Sequence, residues 1–436
     1  MYRCTAQLAT PGPGKNTKLM NHKTQGTTKG QDDYCVRWLG AVSELGASAW
    51  NALFPDGNPF LQHGFLSSLE DSDSAVADRG WTANHLLLER DGRPLAAVPM
   101  YLKTNSYGEF VFDWGWAEAW QRYGLDYYPK LLTAVPFTPS VGPRLGVLPG
   151  SDAQVLGAAA FDAIVAEAQR LELSSWHILF ANQASRELLL GGDDQGHLLK
   201  RQDTQFHFLN PGFENFEDFL ETLRASRRKN LRKERRRVAA QDVAMSRYVG
   251  ENISASDWEA FYRCYVSTFM KRSGHAGYLT RSFFRLLRER LPEQLMLVVA
   301  RRDAEVIAGA LFLFDQERLY GRWWGALESV DCLHFETCFY QGMEFAIENQ
   351  LKVFDPGTQG EHKLLRGFQP VTTHSLHYIS DLRFRAAIAD FLVRERPHAE
   401  AYGEQAAALL PFHRDQEGAV QTGGVERPGR GGRKTS

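Results

Sequence analysis

Apolar residues recur at two spacings along this chain, and the switches between those spacings divide it into elements. From Phe60 to Leu69 they fall on one helical face, just after the turn residues PDGNP. His85 to Thr104 predicts a hairpin, two apolar strands joined at Asp91-Gly92. A strand from Leu131, a loop at Ser140 to Gly146, a helix over about 152–172 and a strand from Ser175 to Asn182 then make a strand, helix, strand crossover. The same series returns later in the chain. Gln294 to Ala300 and Ala304 to Phe314 predict a second hairpin. Leu319 to Ala326, an amphipathic helix from about His334 to Gln350, and Lys352 to Asp355 predict a second crossover. A crossover of this kind demands a parallel strand pair. Two copies of one unit in a mixed α/β (α+β) chain is the economical reading, a repeat of pattern and not of sequence. Helices are also expected at Trp258 to Phe269, Arg281 to Arg290 and Phe384 to Arg396, with a strand at Val371 to Tyr378.

Three stretches carry more chemistry than packing requires. Phe354 to Pro370, FDPGTQGEHKLLRGFQP, breaks at Pro356-Gly357 and gathers Glu361, His362, Lys363 and Arg366 just past a strand. The carboxyl end of such a strand is where open α/β sheets bind ligands. A network of ion pairs closing the sheet would cluster charge in the same way. Phe213 to Ala240 starts acidic and ends strongly basic, as a helix dipole favours. Between Arg224 and Arg237 its cations, Arg224 and Arg228 among them, are answered only by Glu234, so either a solvated face or an anionic partner is expected. Phe110 to Tyr128 holds Asp113, Trp114, Trp116, Trp120, Tyr123, Tyr127 and Tyr128, which suit either core filling or the wall of a substrate cleft. The Ser140 to Gly146 loop, with Arg144, reads either as a plain turn or as an anion site ahead of a helix.

Composition narrows the classes. The net charge of −2 gives no global pull toward nucleic acid or membrane, and no apolar run approaches the length of a spanning helix. No signal pattern opens the chain, and its five scattered cysteines suit a reduced, cytoplasmic protein. Cys332, His334, Cys338 and His362 follow no familiar zinc spacing, so no metal is expected.

The pieces YPKLL, VPFTPSVGPRL, SSWHILF, LHFETCFYQGMEFAIE and FDPGTQGEHKLLRGF together resemble the FemAB-like (peptidoglycan biosynthesis/recognition) family of the GNAT acyltransferase superfamily. The resemblance runs from about Asn58 to Phe412. It implies two tandem GNAT-like domains, each a mixed sheet flanked by helices. The expected division is a disordered extension over 1–34, a first domain over 35–210, a second over 211–412 opened by the basic helix 213–240, and a disordered tail over 413–436. It also implies transfer of an acyl or aminoacyl group, from acyl-CoA or aminoacyl-tRNA, to an amine that is a small molecule or a cell-wall precursor. Where Fem proteins usually carry Phe-Lys before the Gly-Phe of this motif, this chain has Leu364 and Leu365, with cations at Lys363 and Arg366. The stretch ALESVDCLH lacks spaced glycines and carries Glu328 and Asp331, which disfavours a CoA pyrophosphate there. The Ser140 to Gly146 loop is the better place for one.

Acyl transfer to an amine needs a base and a means of holding charge on the carbonyl oxygen. Glu361 and His362 are the first candidates for the base, Glu336 and His334 the second. Lys363 and Arg366 are candidates for the oxyanion or a phosphate. Asp113, Trp114, Tyr127, Tyr128, Arg144, Arg224, Arg228, Trp323, Tyr340 and Asp355 are candidate substrate contacts. The alternative is a non-catalytic relative that holds RNA or a nucleotide-linked precursor through its basic helix.

Overall fold

In chain order the strands of the first half are β1 (Cys35–Leu39), β2 (Trp81–Ala83), β3 (His85–Arg90), β4 (Arg93–Val98), β5 (Tyr101–Lys103), β6 (Lys130–Thr133), β7 (Gly146–Val147), β8 (Ser175–Leu179) and β9 (Leu198–Leu209). Those of the second are β10 (Ala244–Val249), β11 (Leu295–Arg302), β12 (Glu305–Phe314), β13 (Arg318–Ala326), β14 (Val353–Asp355) and β15 (Gln369–Ile379). These elements belong to a computed structural model that describes residues 34–358 and 360–413. The expected disordered extension and tail lie, apart from Tyr34 and His413, outside the described residues.

Both expected hairpins form, β3 with β4 and β11 with β12. Both crossovers form as well: β6 and β8 pair in parallel around the helix Ala153–Arg170, and β13 and β14 pair in parallel around the helical run 333–348. One small sheet runs β1-β3-β4-β7. The rest of the strands make a single sheet in the order β10-β11-β12-β13-β14-β9-β15-β8-β6-β5-β2. The two halves are therefore interleaved: β15, late in the chain, sits between β9 and β8, and β9 lies between β15 and β14. The pattern of apolar positions does not announce β9, because its middle, Lys200 to Gln205, is polar. Backbone pairing with β15 along one side holds that stretch extended.

A shared core reinforces the interleaving. Phe65 on the helix His63–Asp71 meets Phe283 on the helix Arg281–Arg290 edge to face at 5.8 Å, and Phe60 meets Tyr320 of β13 at 5.0 Å. Such aromatic contacts bury large areas, which is why the halves pack as one body. Helix starts follow the side chains able to cap them, as with Asp152, Ser254, Thr280 and Asp381. The last helix, Leu382–Ala408, runs past Pro397 and is longer than the expected 384–396. The basic segment is two helices, Phe216–Glu221 and Ala225–Ala239, separated at Thr222 to Arg224.

Candidate functional site

The site begins where β13 and β14 part. They are paired only from Arg318–Val353 to Tyr320–Asp355; β14 then stops at Pro356, while β13 continues to Ala326 beside β12. A bulge opposite Leu311/Phe312 leaves Arg322 as the extra residue of β13 and turns it into the opening wedge. The result is a cavity of about 430 Å³. Its floor is Leu311, Phe312, Gly321 and Trp323; its rim carries Gly357, His362 and Lys363; Phe110, Phe137 and Pro139 of the first half close the far wall.

Asp355 holds the rim in place. Its Oδ2 accepts from Arg322 Nη2 at 2.7 Å and its Oδ1 from the Gly357 amide at 2.8 Å, with His207 Nε2 at 3.7 Å. Burial opposes charge on this carboxyl, yet Arg322, His207 and the Gly357 amide overcome it and hold its pKa down to about 2. Asp355 is therefore a buried anion engaged by the protein itself. Lys363, 2% exposed, donates from Nζ to the Gly357 carbonyl. Burial pulls its pKa down to about 8, against the attraction of Asp355. His362 is open to solvent on one side and lies against Phe339 and Phe335, each 5.6 Å away between ring centres. Partial burial, with Arg366 and Lys363 nearby, lowers its pKa. Burial, seconded by His362, takes His334, also in the cavity wall, down to about 4. At neutral pH the wall thus presents two uncharged imidazoles beside an ammonium group.

Other expected site residues stand elsewhere. Glu361 is exposed and turned out of the cavity toward Tyr402, whose hydroxyl donates to Oε1 at 3.2 Å. Three consecutive residues on a tight 3₁₀ turn point about 120° apart. Glu361 takes the side of that turn away from the cavity, which His362 and Lys363 line. Arg366 is buried and committed to Glu234, at 2.7 Å from Nη2 and 3.1 Å from Nε, and its guanidinium lies 3.4 Å over the Phe335 ring. Tyr340, fully buried, donates to the same Glu234. Glu336, in a π-helical turn, receives both ends of Arg235 at 3.0 and 3.1 Å. Arg366, Tyr340 and Glu336 are thus internal ties. Trp323 lines the cavity.

The basic helix is answered by acids outside it: Arg232 by Glu217, Arg235 by Glu336 and Glu344, and Arg237 by Asp331, besides Glu234 with Arg366. Arg224 Nε donates to the Phe412 carbonyl, and Arg228 reaches the Leu223 carbonyl at 3.4 Å. Arg144 is no anion site. It is 1% exposed, and its guanidinium is spent on the Leu179, Pro143 and Ser140 carbonyls. Burial lowers its pKa to about 9. The helix after that loop starts only at Ala153, and Asp152 already caps it.

The aromatic segment serves the interior. Trp116 and Trp120 of the helix Trp114–Arg122 pack inward, Trp120 stacking on Phe384 at 3.8 Å, while Trp114 is 39% exposed. Asp113, Tyr127 and Tyr128 join a buried polar cluster apart from the cavity. Lys130 pairs there with Glu109 and Asp113, Tyr127 donates to Asp113 at 2.6 Å, and His177 faces His377 at 2.6 Å between Nδ1 atoms. Phe110, where the aromatic segment opens, does line the cavity; sequence reasoning missed Phe137 in its wall and Arg272 at its edge. Local spacing marks neither. Among the described residues no group of three or more His, Cys, Asp or Glu side chains converges to hold a metal, and no helix is long and apolar enough to cross a membrane.

A family model described as FemAB-like, peptidoglycan biosynthesis/recognition, matches residues 41–414. No curated protein matches the chain. Among solved structures, the crystal structure of FemX is similar over 79% of this chain and 98% of its own, at 13% identity and a TM-score of 0.47. A conserved protein of unknown function from Bacteroides thetaiotaomicron is similar over 79% and 99%, at 12% identity and 0.46. A tandem GNAT protein from the clavulanic acid biosynthesis pathway is similar over 80% and 100%, at 10% identity and 0.42.

Proposed function

The chain belongs to the FemAB-like family of peptidoglycan biosynthesis and recognition, and from that premise we propose that it is an N-acyltransferase working in the cavity between β13 and β14. The observation that carries this reading is the pairing, at one rim, of an uncharged imidazole, His362, with a buried ammonium, Lys363. The donor is an activated acyl group, the thioester of acyl-CoA or the ester of aminoacyl-tRNA; the acceptor is a small-molecule or precursor amine.

In the proposed step the amine nitrogen attacks the acyl carbon and a C–N bond forms. His362 takes the proton the nitrogen loses, and the Lys363 ammonium faces the negative charge growing on the carbonyl oxygen. Collapse breaks the C–S or C–O bond, and the proton on His362 passes to the departing sulfur or oxygen. No covalent acyl-enzyme is needed. Cys338 in the same wall is an unsuitable nucleophile, because burial pushes its pKa far up.

The test is release of free CoA or deacylated tRNA by the purified protein, given each donor with a panel of amines, read against pH. His362 must be neutral and Lys363 charged. The rate rises as pH climbs through the lowered pKa of His362, below the ordinary 6.5, and falls through about 8 as Lys363 loses its proton. Lys363→Arg keeps the charge at high pH, so whatever activity it retains should lack the basic limb. An unchanged basic limb would remove Lys363 from the chemistry. Glu361→Gln is expected to change kcat/KM by no more than about twofold, the scale of a surface substitution near 0.5 kcal/mol. A loss of several orders there would move the base from His362 to Glu361.

The binding-protein alternative leans on the basic helix, and its ion pairs with Glu217, Glu336, Glu344 and Asp331 supply internal reasons for several of those cations.

A further inference from the structure

Three phenylalanines have the left-handed backbone that bulky side chains avoid: Phe110 at φ 62°, Phe137 at φ 56° and Phe180 at φ 55°. A conformation of that kind persists only where the surroundings over-determine it, and such places cluster at functional sites. All three line hollows that share walls. Phe110 and Phe137 wall the cavity beside Lys363; Phe110 and Phe180 line an adjoining hollow of about 230 Å³; Phe180 also bounds a third of about 310 Å³. The chain makes room for these rings. At Gly108, φ 80°, a Cβ would come within 2.5 Å of the Phe137 ring, and the Phe137 amide donates to the Gly108 carbonyl at 3.1 Å. Phe137 stacks on Tyr278 with ring centres 5.0 Å apart, and Phe269 meets Tyr278 at 5.9 Å. The first half thus supplies an aromatic wall, in strained conformations, to a cavity whose polar groups come from the second.

Those polar groups are one-sided. Arg272, Arg322, His334, His362 and Lys363 line the cavity, and no carboxylate does among the described residues. Arg322 keeps a buried Nε without a partner, a donor that a carbonyl or carboxylate oxygen would satisfy. A small aminoacyl group would bring its ammonium into a space with no counter-charge, and an acetyl group would leave most of the aromatic wall empty. An apolar body ending in a carbonyl suits both ends.

We infer that the group transferred is an apolar acyl group, a medium-length aliphatic or an aryl-alkyl one, lying among Phe110, Phe137, Phe269, Tyr278 and Leu279 with its carbonyl toward Lys363. This rests on the transferase reading and narrows its substrate class. The bond changes remain those already given: C–N forms, C–S or C–O breaks, and the amine proton leaves with the departing group.

The probes are straight-chain carboxylates from acetate to decanoate and 3-phenylpropionate, titrated calorimetrically into the full chain. Affinity should rise about fourfold per added methylene until the cavity is filled, the increment expected for apolar burial. Ser273→Trp, at an exposed rim position, should abolish that slope with the fold intact by circular dichroism. Phe269→Ala should move the best length two or more carbons higher. Lys363→Met should weaken all lengths alike and leave the slope. Equal affinity for acetate and octanoate, or a slope indifferent to Ser273→Trp, overturns the inference. The two readings fail separately: the expected slope with no turnover of any acyl donor leaves the apolar site and removes the transferase, while turnover of acetyl or small aminoacyl donors without the slope keeps the transferase and removes the apolar site.

Discussion

Lys363→Met is expected to lower kcat by about 10²- to 10³-fold, the range seen when one donor to a developing oxyanion is removed. The side chain is 2% exposed and touches the Gly357 carbonyl, and burial leaves its pKa at about 8, so near pH 7 it is mostly an ammonium in a poorly solvated place. Charge there is worth more than in water because the surroundings screen it less. Methionine keeps the length and the apolar stem, so the fold should survive and the loss should fall on kcat more than on KM. Single-turnover rates and thermal midpoints of the two proteins decide the matter. A variant that stays folded and turns over within threefold of the parent would show that Lys363 is structural and that the cavity works without it.

The second large effect is on stability. Lys130→Met should cost about 3–5 kcal/mol, because it leaves two buried carboxyl groups without their cation. Lys130 is fully buried, with Nζ 2.8 Å from Glu109 and 3.0 Å from the Ser106 hydroxyl, and it also pairs with Asp113. Burial already pushes Glu109 up to about 7 even beside Lys130, whereas Asp113 is held near 2 by Lys130 and His177 against its own burial. With the lysine gone, both carboxyls must take up protons or unfold the cluster. Urea denaturation at pH 7 measures the loss, and adding Glu109→Gln and Asp113→Asn to the variant should restore part of it, since the three groups act as a unit. A cost below about 1 kcal/mol, the value of an exposed ion pair, would mean that water reaches the cluster.

The two clusters were unequally legible. That chemistry gathers just after β14 could be read from the chain, because a strand, a helix and a strand in series place their loops at the carboxyl edge, and the break at Pro356-Gly357 fixes where the second strand stops. Which of Glu361, His362, Lys363 and Arg366 face that edge could not be read, since it depends on the phase of one 3₁₀ turn. Arg366 looked like a free cation only because its partner, Glu234, is distant in the chain. The same distance hid Glu336, Glu344 and Asp331 from the basic helix. Arg144 looked like an anion ligand because its consumption by three backbone carbonyls is a matter of the folded loop alone.

By itself, then, the sequence determined the hairpin at Asp91-Gly92 and the one that turns between Ala300 and Ala304, the two crossovers, the amphipathic helices and the place of Glu361, His362, Lys363 and Arg366 just past a strand, because each follows from spacing within a few residues or from a turn between neighbours. Only the tertiary structure decided that β15 runs between β8 and β9, that Phe110 and Phe137 reach across from the first half to wall the cavity, and that Glu361 looks away from it. Strand neighbours and facing side chains depend on which distant segments win the competition for pairing and burial. That competition is settled by the whole chain at once.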